Sequence, residues 1–201
     1  MPNIHVIILA AGQGTRMKSA LPKVLHAIAG KPMLGHVLDT ARGVGVAACH
    51  VVYGHGGEQV QAWFSSAYPG DSSVRWAQQA QQLGTGHAVN QAAPDVPDDA
   101  TILIAYGDVP LISGETLTAL AEAGAQSLAV VTVSLAQPRG YGRILRDAIG
   151  AVTGIVEEND ADEAQRRIGE VNTGLMAAPA RLLKPWLQRI GNGNKKGEYY
   201  L

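Results

Sequence analysis

Four short apolar, β-branched runs, "HVIILA" (5–10), "HVVYG" (50–54), "TILIAYGD" (101–108) and "SLAVVTVSL" (127–135), alternate along the chain with segments of helical period. Met33, Leu34, Val37, Leu38 and Ala41 repeat as one helix face, with Pro32 suited to the first helical position, and Ser113 followed by Glu115, Leu117 and Leu120 opens another helix. Strands joined through helices of this kind require right-handed crossovers. The pattern therefore predicts a Rossmann-like α/β fold with a mostly parallel sheet, whose ligands lie beyond the carboxyl ends of the strands. From about residue 140 the texture changes. "YGRILRD", "AVTGIVEEND" and "EVNTGLMAAP" read as strands or hairpin arms, with "DADEAQRRI" helical between the last two. These form a second lobe continuous with the first sheet.

Composition narrows the partners. With 201 residues, 16 Lys and Arg against 17 Asp and Glu, and no block of like charges, the chain predicts one sizeable core and no electrostatic grip on nucleic acid. The first apolar run is too short to span a bilayer, for which roughly 20 residues are needed, and it lacks the positive flank of a signal peptide. It reads as a buried strand, with no membrane insertion. The single cysteine, Cys49, excludes an internal disulfide and a cysteine-based zinc site and points to the cytoplasm. Glycine is over-used, 24 of 201 residues, without a repeat period. Many glycines must then stand at sharp turns or where a ligand approaches the backbone.

The stretch "LAAGQGTRMKSALPKVL" (9–25) directly follows the first strand. A dinucleotide fingerprint fails there, because the third glycine position after Gly12 and Gly14 falls on Met17; a P-loop fails because Gly30-Lys31 is followed by Pro32. What remains is a loop whose backbone N–H groups can line an anion site, with Arg16 as a forked cation and Lys23 as a point charge. Asp108, at the end of a strand, reads either as a metal ligand or as a turn or N-cap aspartate. Glu157 followed by Glu158 reads equally as a solvated acidic turn. The six histidines show no His-x-x-x-His pair and read as hydrogen-bonded fillers.

The ordered stretches "LAAGQGTRM", "PK" (22–23), "QAQQLGTGHA" (79–88), "YGDVPL" (106–111), "GYGRI" (140–144), "VNTG" (171–174) and "GEYY" (197–200) closely resemble the N-terminal uridyltransferase domain of the bifunctional GlmU family, within the sugar-1-phosphate nucleotidyltransferases. The resemblance implies the nucleotide-diphospho-sugar transferase fold with a small C-terminal sugar-binding lobe. One domain would cover 1–201, with a nucleotide-binding half (1–135) and a sugar-phosphate-binding half (136–201). It implies uridylyl transfer from UTP to N-acetylglucosamine 1-phosphate with Mg2+ as cofactor. Arg16, Lys23 and Asp108 would be catalytic, with Asp108 on the metal. Leu9, Ala10, Ala11, Gly12, Lys23, Gln79, Gly84, Thr85, Tyr106, Gly107 and Asp108 would hold the nucleotide, Gln79 reading the uracil edge, and Gly142, Glu157 and Asn172 the sugar.

The family's metal site is completed by an asparagine beyond "GEYY", and its β-helix domain, which acetylates glucosamine 1-phosphate and holds homotrimers together, is absent from this chain. "GNGNKKGEYYL" also stops without a cap. The expectation is a longer natural protein. Another sugar-1-phosphate nucleotidyltransferase, or a non-catalytic nucleotide-sugar-binding module, are the alternative readings; the retained charges of Arg16, Lys23 and Asp108 argue against the second.

Overall fold

The protein is described by a computed structural model covering residues 3–12, 14 and 17–201. Strand β1 (Ile4–Leu9) leads into the glycine loop; a short 3-10 turn (Lys23–Leu25) follows, then a small hairpin of β2 (Ala27–Ile28) and β3 (Lys31–Pro32). Next come α1 (Met33–Gly43), β4 (Ala48–Tyr53), α2 (Gly57–Ala67), β5 (Val74–Gln78), α3 (Thr85–Ala92) and β6 (Thr101–Tyr106). The remainder comprises α4 (Gly114–Ala123), β7 (Ala129–Ser134), β8 (Arg143–Arg146), β9 (Val152–Val156), α5 (Glu163–Arg166), β10 (Glu170–Pro179) and α6 (Ala180–Leu187).

The sheet runs β5-β4-β1-β6-β10-β8-β9, with β7 also paired to β10. Its first four strands are parallel, as the strand and helix alternation requires; β10 joins β6 antiparallel and carries the C-terminal hairpin β8-β9 into the same sheet. β1 is buried along its whole length, and its side chains divide by alternation. Ile4, Val6 and Ile8 pack with Leu34, Val37, Leu38 and Ala41 of α1, with Val60 and Phe64 of α2, and with Leu117 and Leu120 of α4. Ile7 and Leu9 pack on the other face with Ala88, Val89 and Ala92 of α3 and with Leu183 and Leu187 of α6. Helices thus cover both faces. Truncating a fully buried leucine such as Leu38 to alanine costs about 2–5 kcal/mol.

Local signals set the element ends. Ser113 accepts a hydrogen bond from the Thr116 N–H at 3.1 Å and caps α4, and Asp162 with Gln165 forms a capping box on the short α5. Pro32 stands one place earlier than its sequence position suggested: its extended backbone (ψ 145°) makes it the N-cap residue, because it closes the β2-β3 hairpin before α1 begins. Elements α2, β5, α3 and α6 lie outside the periodic runs singled out from sequence. Helix α6 even contains Pro185. Cys49 lies within β4 rather than ahead of it, 1% exposed, where burial pushes its thiol up to about 11.

Two histidines are placed in the sheet itself. His5 of β1 and His50 of β4 lie at neighbouring registers, almost fully buried, with Nδ1 of His5 2.9 Å from Nε2 of His50. Burial lowers both, and His50 is pushed down to about 4 by burial, by His5 and by Arg75. The unfolded chain binds protons near pH 6.5 that the fold refuses until about 4, so stability rises with pH across that window and falls on acidification through it. Urea midpoints measured from pH 7 to pH 4 should fall in the wild type and fall less steeply in His50→Gln, which keeps a polar partner for His5 without titrating. Equal slopes would remove the histidine pair as the cause.

A candidate nucleotide site at the strand ends

The parallel register of β1 and β6 sets Leu9 opposite Tyr106, and the Gly107 N–H donates to the Leu9 carbonyl at 2.9 Å. Two chain segments therefore leave the sheet side by side. One is the glycine loop and the other is the turn holding Asp108. Gly107 is needed for that closeness: a Cβ there would stand 3.1 Å from Val24 and 3.4 Å from both Ala10 and Leu34.

Lys23 reaches Asp108 from behind the loop. Pro22 sets an extended entry, Val24 and Leu25 of the 3-10 turn are buried in the core, and the Lys23 ammonium is left pointing toward the strand ends, in an ion pair with the Asp108 carboxylate. Gly14, at φ +59°, lets the loop cross the Lys23 stem, where a Cβ would come within 2.8 Å of the Lys23 Cβ. The Asp108 side chain caps no helix, since Ser113 caps α4; its partner is Lys23.

Around this pair lies a cleft of about 400 Å³. Ten of the residues expected from sequence line it: Leu9, Ala10, Ala11, Gly12, Lys23, Gln79, Gly84, Thr85, Tyr106 and Asp108. Gly107 sits beneath it as described. Arg16 lies outside the described residues. Gly12 meets no described atom within 4 Å of a hypothetical Cβ, so this glycine serves an open face rather than a tight turn.

Gln79 is 3% exposed and its side-chain amide nitrogen donates to the Gly84 carbonyl and to Nδ1 of His87, both at 3.0 Å. Both amide hydrogens are thereby used, and the group left for a base edge is the carbonyl oxygen, an acceptor only. The sequence reading, in which the same amide both donates and accepts, is narrowed accordingly.

The C-terminal residues close the other side. The Tyr199 N–H donates to the Leu83 carbonyl at 2.7 Å, the Gly86 N–H to the Tyr199 carbonyl at 2.8 Å, and the Leu201 N–H to the Thr85 hydroxyl at 3.1 Å. Gly84, at φ +112°, permits this contact, because a Cβ would meet the Tyr199 carbonyl oxygen at 2.5 Å. Glu198 lines the cleft from this strap. The stretch "GEYY" (197–200) stands out in the sequence without a role for Glu198, whose place depends on backbone bonds to residues more than a hundred positions earlier.

Gly142, Glu157 and Asn172 form a second group and do not line this cleft. The Asn172 N–H donates to the Gly142 carbonyl at 2.8 Å, and the Glu157 carboxylate rests where a Gly142 Cβ would be, 2.7 Å away. Asn172 Oδ1 accepts from the Gly174 N–H at 2.8 Å, which leaves its NH2 as the group to offer a ligand. Tyr106 joins the two groups: Gly174, at φ +81°, packs against its hydroxyl, and burial together with the charges of Asp108 and Glu157 pushes its phenol up to about 12. Glu157 also borders a cavity of about 290 Å³ shared with Asp160, Tyr200 and Leu201. Burial, Asp160 and Glu198 raise its carboxyl above the ordinary range against the pull of Lys196 and Arg143. It is no solvated turn.

Residues 6–171 match the MobA-like NTP transferase domain. The chain belongs to that family. It is 54% identical over 198 residues to the "Bifunctional protein GlmU" of Xanthomonas euvesicatoria and, at the same identity and length, to that of Alkalilimnicola ehrlichii. The match covers 98% of this chain and 42% of each relative, so the chain spans less than half the length of the curated relatives it matches. Among solved structures, UDP-glucose pyrophosphorylase complexed with UDP-glucose superposes over 100% of this chain and 84% of its own, with a TM-score of 0.78 at 17% identity. HddC from Yersinia pseudotuberculosis superposes over 98% of this chain and 82% of its own, with a TM-score of 0.67 at 20% identity. These likenesses place the fold among nucleotide-diphospho-sugar transferases.

The glycines give a discriminating pair of variants. Gly84→Ala puts a side chain at positive φ against backbone, which should cost about 1–3 kcal/mol in a melt and weaken nucleotide binding in calorimetry. Gly12→Ala should leave the melt unchanged and weaken nucleotide binding alone. A Gly12→Ala protein that binds nucleotide like the wild type would remove the loop from the site.

Proposed function

We propose that this chain transfers a uridylyl group from UTP to N-acetylglucosamine 1-phosphate, giving UDP-N-acetylglucosamine and pyrophosphate. The observation that carries the proposal is the convergence of the open glycine loop, Gln79, the Gly84-Thr85 corner and the Lys23–Asp108 pair on one cleft at the strand ends. The identity to proteins named GlmU supports the choice of uridine and of this sugar.

The chemistry asks little of acid or base groups. A phosphate monoester has a second pKa of about 6, so its oxygen is already ionised at neutral pH and attacks without a general base. The bond that forms joins that oxygen to the α-phosphorus, and the bond that breaks is the one from the α-phosphorus to the bridging oxygen of the departing pyrophosphate. The protein's task is alignment and charge neutralisation. In this reading the loop N–H groups of residues 9–12 hold the nucleotide, the Gln79 carbonyl oxygen accepts from the uracil imide, and Lys23 with Arg16 balances the triphosphate. Gly142, Glu157 and Asn172 would hold the sugar, with residues 136–201 forming its lobe and 1–135 the nucleotide half.

The donor set fits magnesium. Among the described residues no group of three His, Cys, Asp or Glu side chains could hold a metal, which disfavours a transition-metal cage. Asp108 and Glu198 are the carboxylates in the cleft's lining, and magnesium takes one or two carboxylates and completes its shell with phosphate oxygens and water. Bound there, it would supply positive charge against the phosphates; Lys23 meanwhile holds the Asp108 carboxylate at the cleft. Acetyl transfer to glucosamine 1-phosphate and a homotrimer belong, in the same proposal, to the additional length of the relatives. No helix among the described residues is long and apolar enough to cross a membrane.

The test is pyrophosphate release from magnesium, UTP and N-acetylglucosamine 1-phosphate, with UTP binding measured alongside. Release should stop with EDTA and fall by about 10²-fold or more in Asp108→Ala, the scale of losing a charge-stabilising group. Faster release with glucose 1-phosphate would overturn the sugar assignment, and absence of both UTP binding and release would overturn the function.

A further inference from the structure

Among the described residues, the largest side chain with essentially no exposure is charged. Arg143, the first residue of β8, is 1% exposed, a burial comparable to that of the apolar core. Burying a guanidinium is costly unless its donors are matched, and an apolar side chain of similar volume is generally an equal or better filler. Its retention in such a place calls for a task that an apolar residue cannot perform.

Its contacts say what it holds. Nη1 donates to the Tyr141 carbonyl; Nη2 donates to the Glu158 carboxylate at 2.6 Å and to the Arg166 carbonyl at 3.3 Å. The same Glu158 oxygen accepts from the Gly140 N–H at 3.3 Å. One guanidinium therefore ties three separate segments: the 140–142 loop, the turn after β9, and the end of α5. Nε is buried without a partner among the described residues, so the group is not placed for maximal bonding of its own. Each residue of the second polar group lies one link away. Gly142 follows Tyr141, Glu157 precedes Glu158 and rests on Gly142, and Asn172 donates its N–H to the Gly142 carbonyl.

We infer that Arg143, through its bond to Glu158, is the positioning residue that sets the sugar-binding geometry of Gly142, Glu157 and Asn172, and that it acts on the sugar and not on the nucleotide. This rests on the sugar reading of those three residues given above. The guanidinium touches no ligand itself. It fixes the spacing between the carboxylate on one side of the sugar and the backbone on the other, which a planar fork does and a point charge or an apolar chain does not. The nucleotide residues hang on the ends of β1, β5 and β6, on the 3-10 turn and on the start of α3, and none of the Arg143 hydrogen bonds reaches them.

The test compares two ligands in the same chain. Calorimetric affinities for UDP-N-acetylglucosamine and for UDP give, by their ratio, what the sugar adds. In Arg143→Met that ratio should fall by about tenfold or more while UDP affinity stays within about twofold, the scale of losing a charge-assisted hydrogen bond. Arg143→Lys should recover part of the ratio, because it keeps the charge opposite Glu158 and loses the fork. Glu158→Gln, on a side chain 29% exposed, leaves the buried position intact and should reproduce the loss in smaller measure. It serves if Arg143→Met does not fold. A filler role predicts a lower melting temperature with both affinities changed alike, or with neither changed, and either result overturns the inference. Wild-type protein that binds the UDP-sugar no more tightly than UDP overturns the sugar reading and the inference together; a wild-type preference that every variant keeps overturns the inference alone.

Discussion

The hydrogen bond from the Gly107 N–H to the Leu9 carbonyl is the point on which the site depends. It extends the parallel pairing of β1 and β6 one step beyond the strands, so the glycine loop and the Asp108 turn emerge together at the sheet's carboxyl edge. Everything else in the cleft is placed relative to these two segments. Val24 and Leu25 pin the 3-10 turn to the core beneath them, and Lys23 is thereby set against Asp108. In a parallel sheet the strand ends carry unpaired backbone groups and few side chains, which is why a ligand site there needs so little construction.

The second polar group depends on a different device. Strand β10 pairs with β7 along one edge, while its other edge passes from β6 at residues 176–179 to β8 at residue 171, with an irregularity between Asn172 and Met176. The irregular stretch lies beside Tyr106, and Gly174 makes room for that ring. Asn172, the last paired residue before the break, donates its N–H to the Gly142 carbonyl, and the Tyr106 phenol packs on Gly174 within it. The cleft and the second polar group are thus contiguous without sharing a pocket.

A strap made by residues 194–201 runs between them. Asn194 organises its turn by accepting from the Lys196 and Glu198 N–H groups, the Lys195 N–H donates to Asp160, and Tyr199 and Leu201 bond to the 83–86 corner. Glu198 consequently faces the first cleft while Tyr200 lines the second cavity, and its charge contributes to raising both Glu157 and Tyr200. A segment with almost no regular structure therefore borders both cavities, held there by backbone bonds to distant residues.

What the sequence by itself determined was whatever local chemistry decides. The apolar runs marked β1, β4, β6 and β7, the apolar repeat marked α1, Ser113 marked the start of α4, and the glycine loop with Lys23 and Asp108 marked the strand-end site. Short segments such as β5 and α3 escaped because five and eight residues, with small residues such as Ala77, Gly86, Ala88 and Ala92 at buried positions, give too little period to read. Only the tertiary structure decided that Asp108 pairs with Lys23 and caps no helix, that the Gln79 amide is already spent on Gly84 and His87, and that Glu158 pairs with a buried arginine. Each of these rests on partners far away in sequence or on competition for a donor, and a one-dimensional pattern records the residue types present without recording which of them meet.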